Sequence, residues 1–263
     1  MIKRILYYFK IWWMMSKNSF LSMLEHRVGI IVFLLGKILR FVFFMAFIYF
    51  LLVKTKTLAG YTLNQTIFFF LTFNLVDIFA QFLFREVYRF RPLVVSGSFD
   101  LVLTKPISAL FRSLMGGADI LDLITIPPLI GGIYYMGTLL NPLSFQVFFY
   151  VLLIINGLII ATAFHIAVLS LGIITLEIDH TIMIYRDLIN FGRFPIEIYR
   201  QPLKGILTYL IPVGIMISLP AKSLMGLVTP IGVLGSFMFG AALFFLSVRF
   251  WNFALKYYTS ASS

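Results

Sequence analysis

Apolar residues in this chain fall in long unbroken runs rather than in alternation. The runs cover about Val28–Val53, Thr66–Phe84, Ser113–Gly137, Gln146–Ile174 and Leu227–Phe250. Each approaches or exceeds the roughly 20 apolar residues that a helix needs to cross a bilayer core. A membrane barrel would instead show alternating segments of about 10 residues. Residues 175–194 form one further segment. It is marginal by hydropathy because it carries Glu177, Asp179, His180, Arg186 and Asp187, and it is taken as the fifth of six spans. The pattern predicts an all-α polytopic membrane protein forming one domain over residues 1–263, with no internal repeat or linker.

Three stretches depart from simple spans. In residues 1–27, Ile2, Leu6, Phe9, Trp13, Phe20 and Leu24 recur at helical spacing, with Lys3, Arg4, Lys10 and Lys17 between them. A basic helix bearing aromatics suits the headgroup layer; it also serves as the flank of the first span. Residues 85–112 are the least apolar long stretch. Residues 195–226 contain Pro195, Pro202, Pro212 and Pro220. The apolar pieces between these breakers are about 10 residues long, which suits re-entrant or interfacial helices. Within the third span, Pro127 and Pro128 remove two backbone donors and predict a kink or break.

Composition narrows the class. Apolar residues make up 61% of the chain and charged residues 12%, against about 45–50% and 25% in soluble domains. This excludes a soluble or disordered protein. There is no cysteine, so disulfides, thiolate metal sites and cysteine nucleophiles are excluded. The net charge of +11 would suggest nucleic acid in a soluble protein; beside apolar spans it is the positive-inside signature, and no nucleic-acid partner is expected. Residues 1–27, residues 85–112 and the C-terminal end hold twelve Lys and Arg, and the opposite loops hold six. This predicts that both termini and residues 85–112 are cytoplasmic, with an even number of spans. No cleavable leader is expected at the N-terminus.

The sequence contains no phosphate-binding G-x-x-x-x-G-K-[ST] and no H-E-x-x-H, so no cofactor or metal is expected on this chain. Lys37, Arg40 and Asp77 lie inside apolar spans, and Arg186 in the marginal one. Intramembrane charges face protein or water and mark functional paths. Lys37 and Arg40, three residues apart, share a helix face. They suit either an anionic headgroup or an ion pair with Asp77. Asp119 and Asp122 read as the acidic start of a helix, or as a cation pair. Glu177, Asp179 and His180 read as a solvated turn, or as a proton relay.

In residues 95–108, VSGSFDLVLTKPIS, Ser98 is placed to cap a short helix that begins at Phe99–Asp100. Leu101 and Leu103 continue its apolar side, Lys105 follows, and Pro106 stops it. Such a helix, with exposed Phe and Leu, seeks a groove or a membrane surface.

This layout resembles the permease subunits of the type-two ABC transporter family, the six-span exporter class. The resemblance rests on the basic amphipathic N-terminal helix, on residues 95–108 as that family's G-x-x-D-x-x-L-x-x-P segment, and on the proline-rich FPIEIY, LIPV and LPAKSLMG pieces before the last span. It implies a coupling helix at Ser98–Pro106 that docks on an ATPase subunit. It also implies a second permease chain, identical or paralogous, and ATP and Mg held by the partner ATPase. A substrate route would run at the permease seam beside Lys37, Arg40, Asp77 and Arg186, with the 195–226 hairpin closing the outer side. The expected location is the plasma membrane of a prokaryote. Two other classes fit an apolar chain of this kind: an ion-coupled secondary transporter, which usually carries an inverted repeat, and a lipid-modifying membrane enzyme, which needs clustered catalytic groups.

Overall fold

The computed structural model describes residues 2–176 and 178–259. Glu177 lies outside the described residues, so its part in a turn or relay has no structural counterpart here. Among the described residues there is no β-strand, only a single bridge between Leu58 and Tyr61.

The order is α1 (Ile2–Leu24), α2 (Arg27–Thr55), α3 (Leu63–Phe84), α4 (Phe90–Val95), α5 (Phe99–Leu103), α6 (Ala109–Leu114), α7 (Ile120–Leu139), α8 (Ser144–Thr175), α9 (Ile178–Asn190), α10 (Leu203–Gly205), α11 (Leu219–Leu224) and α12 (Pro230–Ala254). Among the described residues five helices are long and apolar enough to cross a membrane: α2, α3 with its extension to Val95, α7, α8, and α12 with its extension to Tyr257. The chain is a polytopic all-α membrane protein.

α3 starts with a capping box, in which the Thr62 side chain accepts from Gln65 and the Gln65 side chain accepts from Thr62. It then runs through the middle of the molecule, with Phe68, Phe69, Phe73 and Val76 buried against α7, α8 and the 203–224 region. α8 packs along α12, where the two helices approach closely: Asn156 donates to the Ser236 carbonyl (2.9 Å). A Cβ on Gly240 would sit 2.2 Å from Asn156 Oδ1, so only glycine fits there. In hydrocarbon there is no hydrophobic force between helices, and small residues with buried hydrogen bonds take its place.

The fifth passage differs from the expected span. α9 has 13 residues and is about 20 Å long at 1.5 Å per residue, too short alone. Near its start Asp179 pairs with Arg91 (3.6 Å), just past one end of α3. Glu197 lies beside Tyr61, just before the other end of α3. Between Asp179 and Glu197 the chain therefore runs the length of α3, ending in 3-10 turns at Phe191–Arg193 and Ile196–Ile198. Burial of one face of α9 lets a polar sequence do this; hydropathy alone misses it because the other face carries the charges.

Residues 203–224 then form a bent pair, Leu203–Leu210 and Gly214–Leu224, at 75°. Pro212 lies at the bend, Pro220 in the first turn of α11, and Pro202 just before α10; Pro195 precedes the pair. From Met216, packed on Gly157 of α8, the second arm returns to Leu224, beside Gly137 and Phe68.

Two further expectations are corrected. The third span begins at Ile120, not Ser113, because Met115–Ala118 break the helix and pass against α1, where Ser16 Oγ accepts from the Ala118 amide (3.3 Å). Pro127 and Pro128 leave α7 unbroken. Proline removes a donor, yet its fixed φ is helical, and α7 continues across the two missing bonds, so the expected break is not found.

Candidate functional site

Two places gather the residues singled out from the sequence. The first is a partly open cleft of about 490 Å³ bounded by α2, α3 and α7. Lys37 and Arg40 line it from α2, Asn74 and Gln81 from α3, Asp122 from α7, and Arg193 from the turn after α9. Its apolar wall is aromatic: Phe44 stacks on Phe70 (4.6 Å between centroids), and Phe41 lies tilted against the same ring (5.3 Å).

Of the two alternatives for Lys37 and Arg40, the ion pair with Asp77 is not formed among the described residues. Lys37 instead pairs with Asp122, whose side chain is 1% exposed. Asp119 forms the N-cap of α7 by accepting from Leu121 (2.9 Å), and meets Arg85 (3.4 Å). The two acids thus split: one caps the helix, and the other ties α7 to α2. Asp77 stands behind the cleft, accepting from Gln81 (2.8 Å). Arg186 does not line the cleft; its guanidinium lies over the Tyr88 ring (5.8 Å). Of the four charged residues singled out from the sequence, Lys37 and Arg40 reach the cleft, and Asp77 and Arg186 come together in a small pocket behind it.

Asp122 and Arg193 were not assigned to this site from sequence. The signal for Asp122 was present: a lysine in one span and an acid near the start of another balance each other best when they meet. Arg193 carried no such signal, since only the 3-10 ending of the fifth passage turns it onto Phe44 and Phe73 (5.3 and 5.7 Å).

The second place is the 85–119 region. Glu86 is buried and held by Arg112 (2.6 Å), with Arg89 at 3.9 Å. This joins the two ends of the region. α1 clamps it from outside: the Tyr8 hydroxyl accepts from the Ser108 amide (3.2 Å), and the Tyr8 ring meets Phe111 edge-on (4.8 Å). Residues near both chain ends therefore pack at the same end of the molecule, since Tyr258 meets Phe99 (5.1 Å).

Two expectations for the short helix are corrected here. Phe99 is fully buried, against Phe90 (5.1 Å), Tyr258 and Trp251 (6.4 Å), so it anchors α5 rather than presenting a docking surface. Ser98 makes no capping bond; its hydroxyl accepts from Ser96 Oγ (2.8 Å), because its own backbone is already helical. What faces outward is Leu101 (65% exposed), Leu103, Lys105 and Pro106. Asp100 lies next to the Tyr258 hydroxyl, and burial together with that carboxylate pushes Tyr258 up to about 12.

The family profile described as ABC-2 family transporter protein matches residues 37–262, from the middle of α2 to the C-terminal end. The chain belongs to the ABC-2 transporter family. It is a transmembrane permease, the membrane component of an ABC transporter. No curated protein and no solved structure matches the chain. Within this ABC-2 permease the match takes in both the cleft and the 85–119 region, and leaves out α1.

Proposed function

We propose that this permease is the membrane subunit of an ATP-driven exporter, in which two permease chains form the path and separate ATPase subunits bind ATP and Mg. The 85–119 region is its docking shelf, and the end of the molecule carrying α5 and both terminal segments faces the cytoplasm of a prokaryotic plasma membrane. The observation that carries this reading is the construction of α5. Its inner side is fixed by Phe99 into an aromatic cluster with α4 and α12, while Leu101 and Leu103 stand out bare beside Lys105. Arg91 joins the same shelf to α9 through Asp179 (3.6 Å) and the Leu176 carbonyl (3.4 Å). A push on Leu101 would thus travel to the starts of α5 and α9 and the end of α12 as one body, which is what a ligand-biased rigid-body switch needs.

The test is co-purification of the full chain with the ATPases encoded beside it. Leu101→Glu and Leu103→Glu place charge on the bare face without touching the anchor. They should abolish ATPase capture while the permease stays folded by gel filtration. Undiminished capture in both variants would refute the docking assignment.

A further inference from the structure

The cleft between α2 and α7 holds more positive charge than its own acid neutralises. Lys37 is matched by Asp122. Arg40 and Arg193 also line the cleft, and among the described residues neither has a carboxylate within the 4.0 Å of an ion pair. The acid acting on both is Asp77, which sits behind Gln81. Unpaired charge at membrane depth is costly and marks function. A guanidinium offers a planar fork of donors suited to phosphate and carboxylate, and the Arg193 guanidinium already lies over the Phe44 and Phe73 rings.

A second observation points the same way. Asp122 Oδ2 is buried and has no hydrogen-bond partner in this cleft. An unmet buried acceptor is costly, and a ligand hydroxyl would satisfy it. The volume of about 490 Å³ suits a headgroup with the first part of a chain. The cleft is partly open, so the rest of that chain has a way out along the exposed apolar side of α2, at Leu35 and Ile38.

We propose that this cleft binds an anionic amphiphile, its phosphate or carboxylate between Arg40 and Arg193 and its chain along the phenylalanine wall. The inference deepens the permease reading, on which it rests, by naming the class of substrate. The binding step itself needs no ATPase.

The test uses the purified full chain in detergent with three probes: radiolabelled phosphatidylglycerol, phosphatidylcholine, and inorganic phosphate. Phosphatidylglycerol should be retained saturably, and phosphatidylcholine weakly. Arg40→Gln and Arg193→Gln should each weaken retention by about tenfold or more, the worth of one charged hydrogen bond. Arg249→Gln, on α12 away from the cleft, should leave it unchanged. Equal retention of the two lipids, or wild-type retention in both cleft variants, overturns the proposal. Displacement of the lipid by inorganic phosphate at equal concentration overturns the amphiphile and leaves a free-anion site. Arg40→Lys, which keeps the charge, guards against misfolding and should retain the lipid better than Arg40→Gln. ATPase capture is scored in the same preparations. Loss of lipid with capture intact is the result expected of the cleft variants, whereas failed capture with lipid retained strikes the permease reading alone.

Discussion

α2 and α3 are consecutive apolar helices of spanning length, and they meet opposite fates. The more apolar of the two is the less buried: the most apolar part of α2 lies bare, whereas 67% of that of α3 with its extension is buried. In water the order would be reversed. In a bilayer, lipid chains satisfy apolar side chains as well as a protein core does, so apolarity selects the membrane and does not choose between lipid and neighbour. α3 wins the centre because Thr72 meets the Tyr150 hydroxyl of α8 (3.3 Å) and its ring-rich faces fit α7 and α8. α2 stays outside, with Lys37 reaching inward to α7 and Arg40 beside it in the cleft.

That contrast can be broken in three ways. The largest effect should come from paired truncations. Phe68→Ala in α3 empties a fully buried site and should cost about 3–5 kcal/mol. Phe43→Ala in α2, largely exposed, should leave unfolding in mixed micelles within about 0.5 kcal/mol of wild type. Equal costs would mean that α2 is packed in the same way as α3. Next comes the tie that holds α2 to α7. Asp122→Asn leaves Lys37 without its counter-charge and should cost about 3 kcal/mol, read as a lowered unfolding midpoint. The double change Lys37→Met with Asp122→Leu should recover most of it; a double variant as weak as the single would show that the pair is not what holds α2 to α7.

The smallest effect concerns pH at the loop joining the two helices. Burial, with Glu197 alongside, pushes the Tyr61 hydroxyl from 10.0 up to about 12. A raised value means that folding favours the protonated form. The contribution is therefore complete below pH 10 and is lost as pH climbs toward 12. Tyr61→Phe should flatten the alkaline fall in stability across that window and change nothing at pH 7. An unchanged alkaline slope in this variant would remove Tyr61 as its cause.

Much of the fold was legible because hydrocarbon enforces long apolar runs and leaves few alternatives: α2, α8 and the body of α3 lie within a few residues of where the runs placed them. The fifth passage was harder, since α9 hides an apolar face beneath Asp179, Arg186 and Asp187, and a linear average cannot see a face. The site was legible only in part. Lys37 and Arg40 stood out as misplaced charges, but which acid answers them is a matter of helix adjacency, and Asp77 and Asp122 look alike in the sequence.

The amino-acid order alone settled that this chain is helical and membrane-embedded, because those properties follow from local composition and spacing. The three-dimensional packing settled the rest: that Phe99 anchors α5 while Leu101 faces outward, that Lys37 answers Asp122, and that Arg193 joins a cleft from a distant turn. Each of these depends on which helix lies beside which, and that is fixed by side chains far apart in the chain meeting at once.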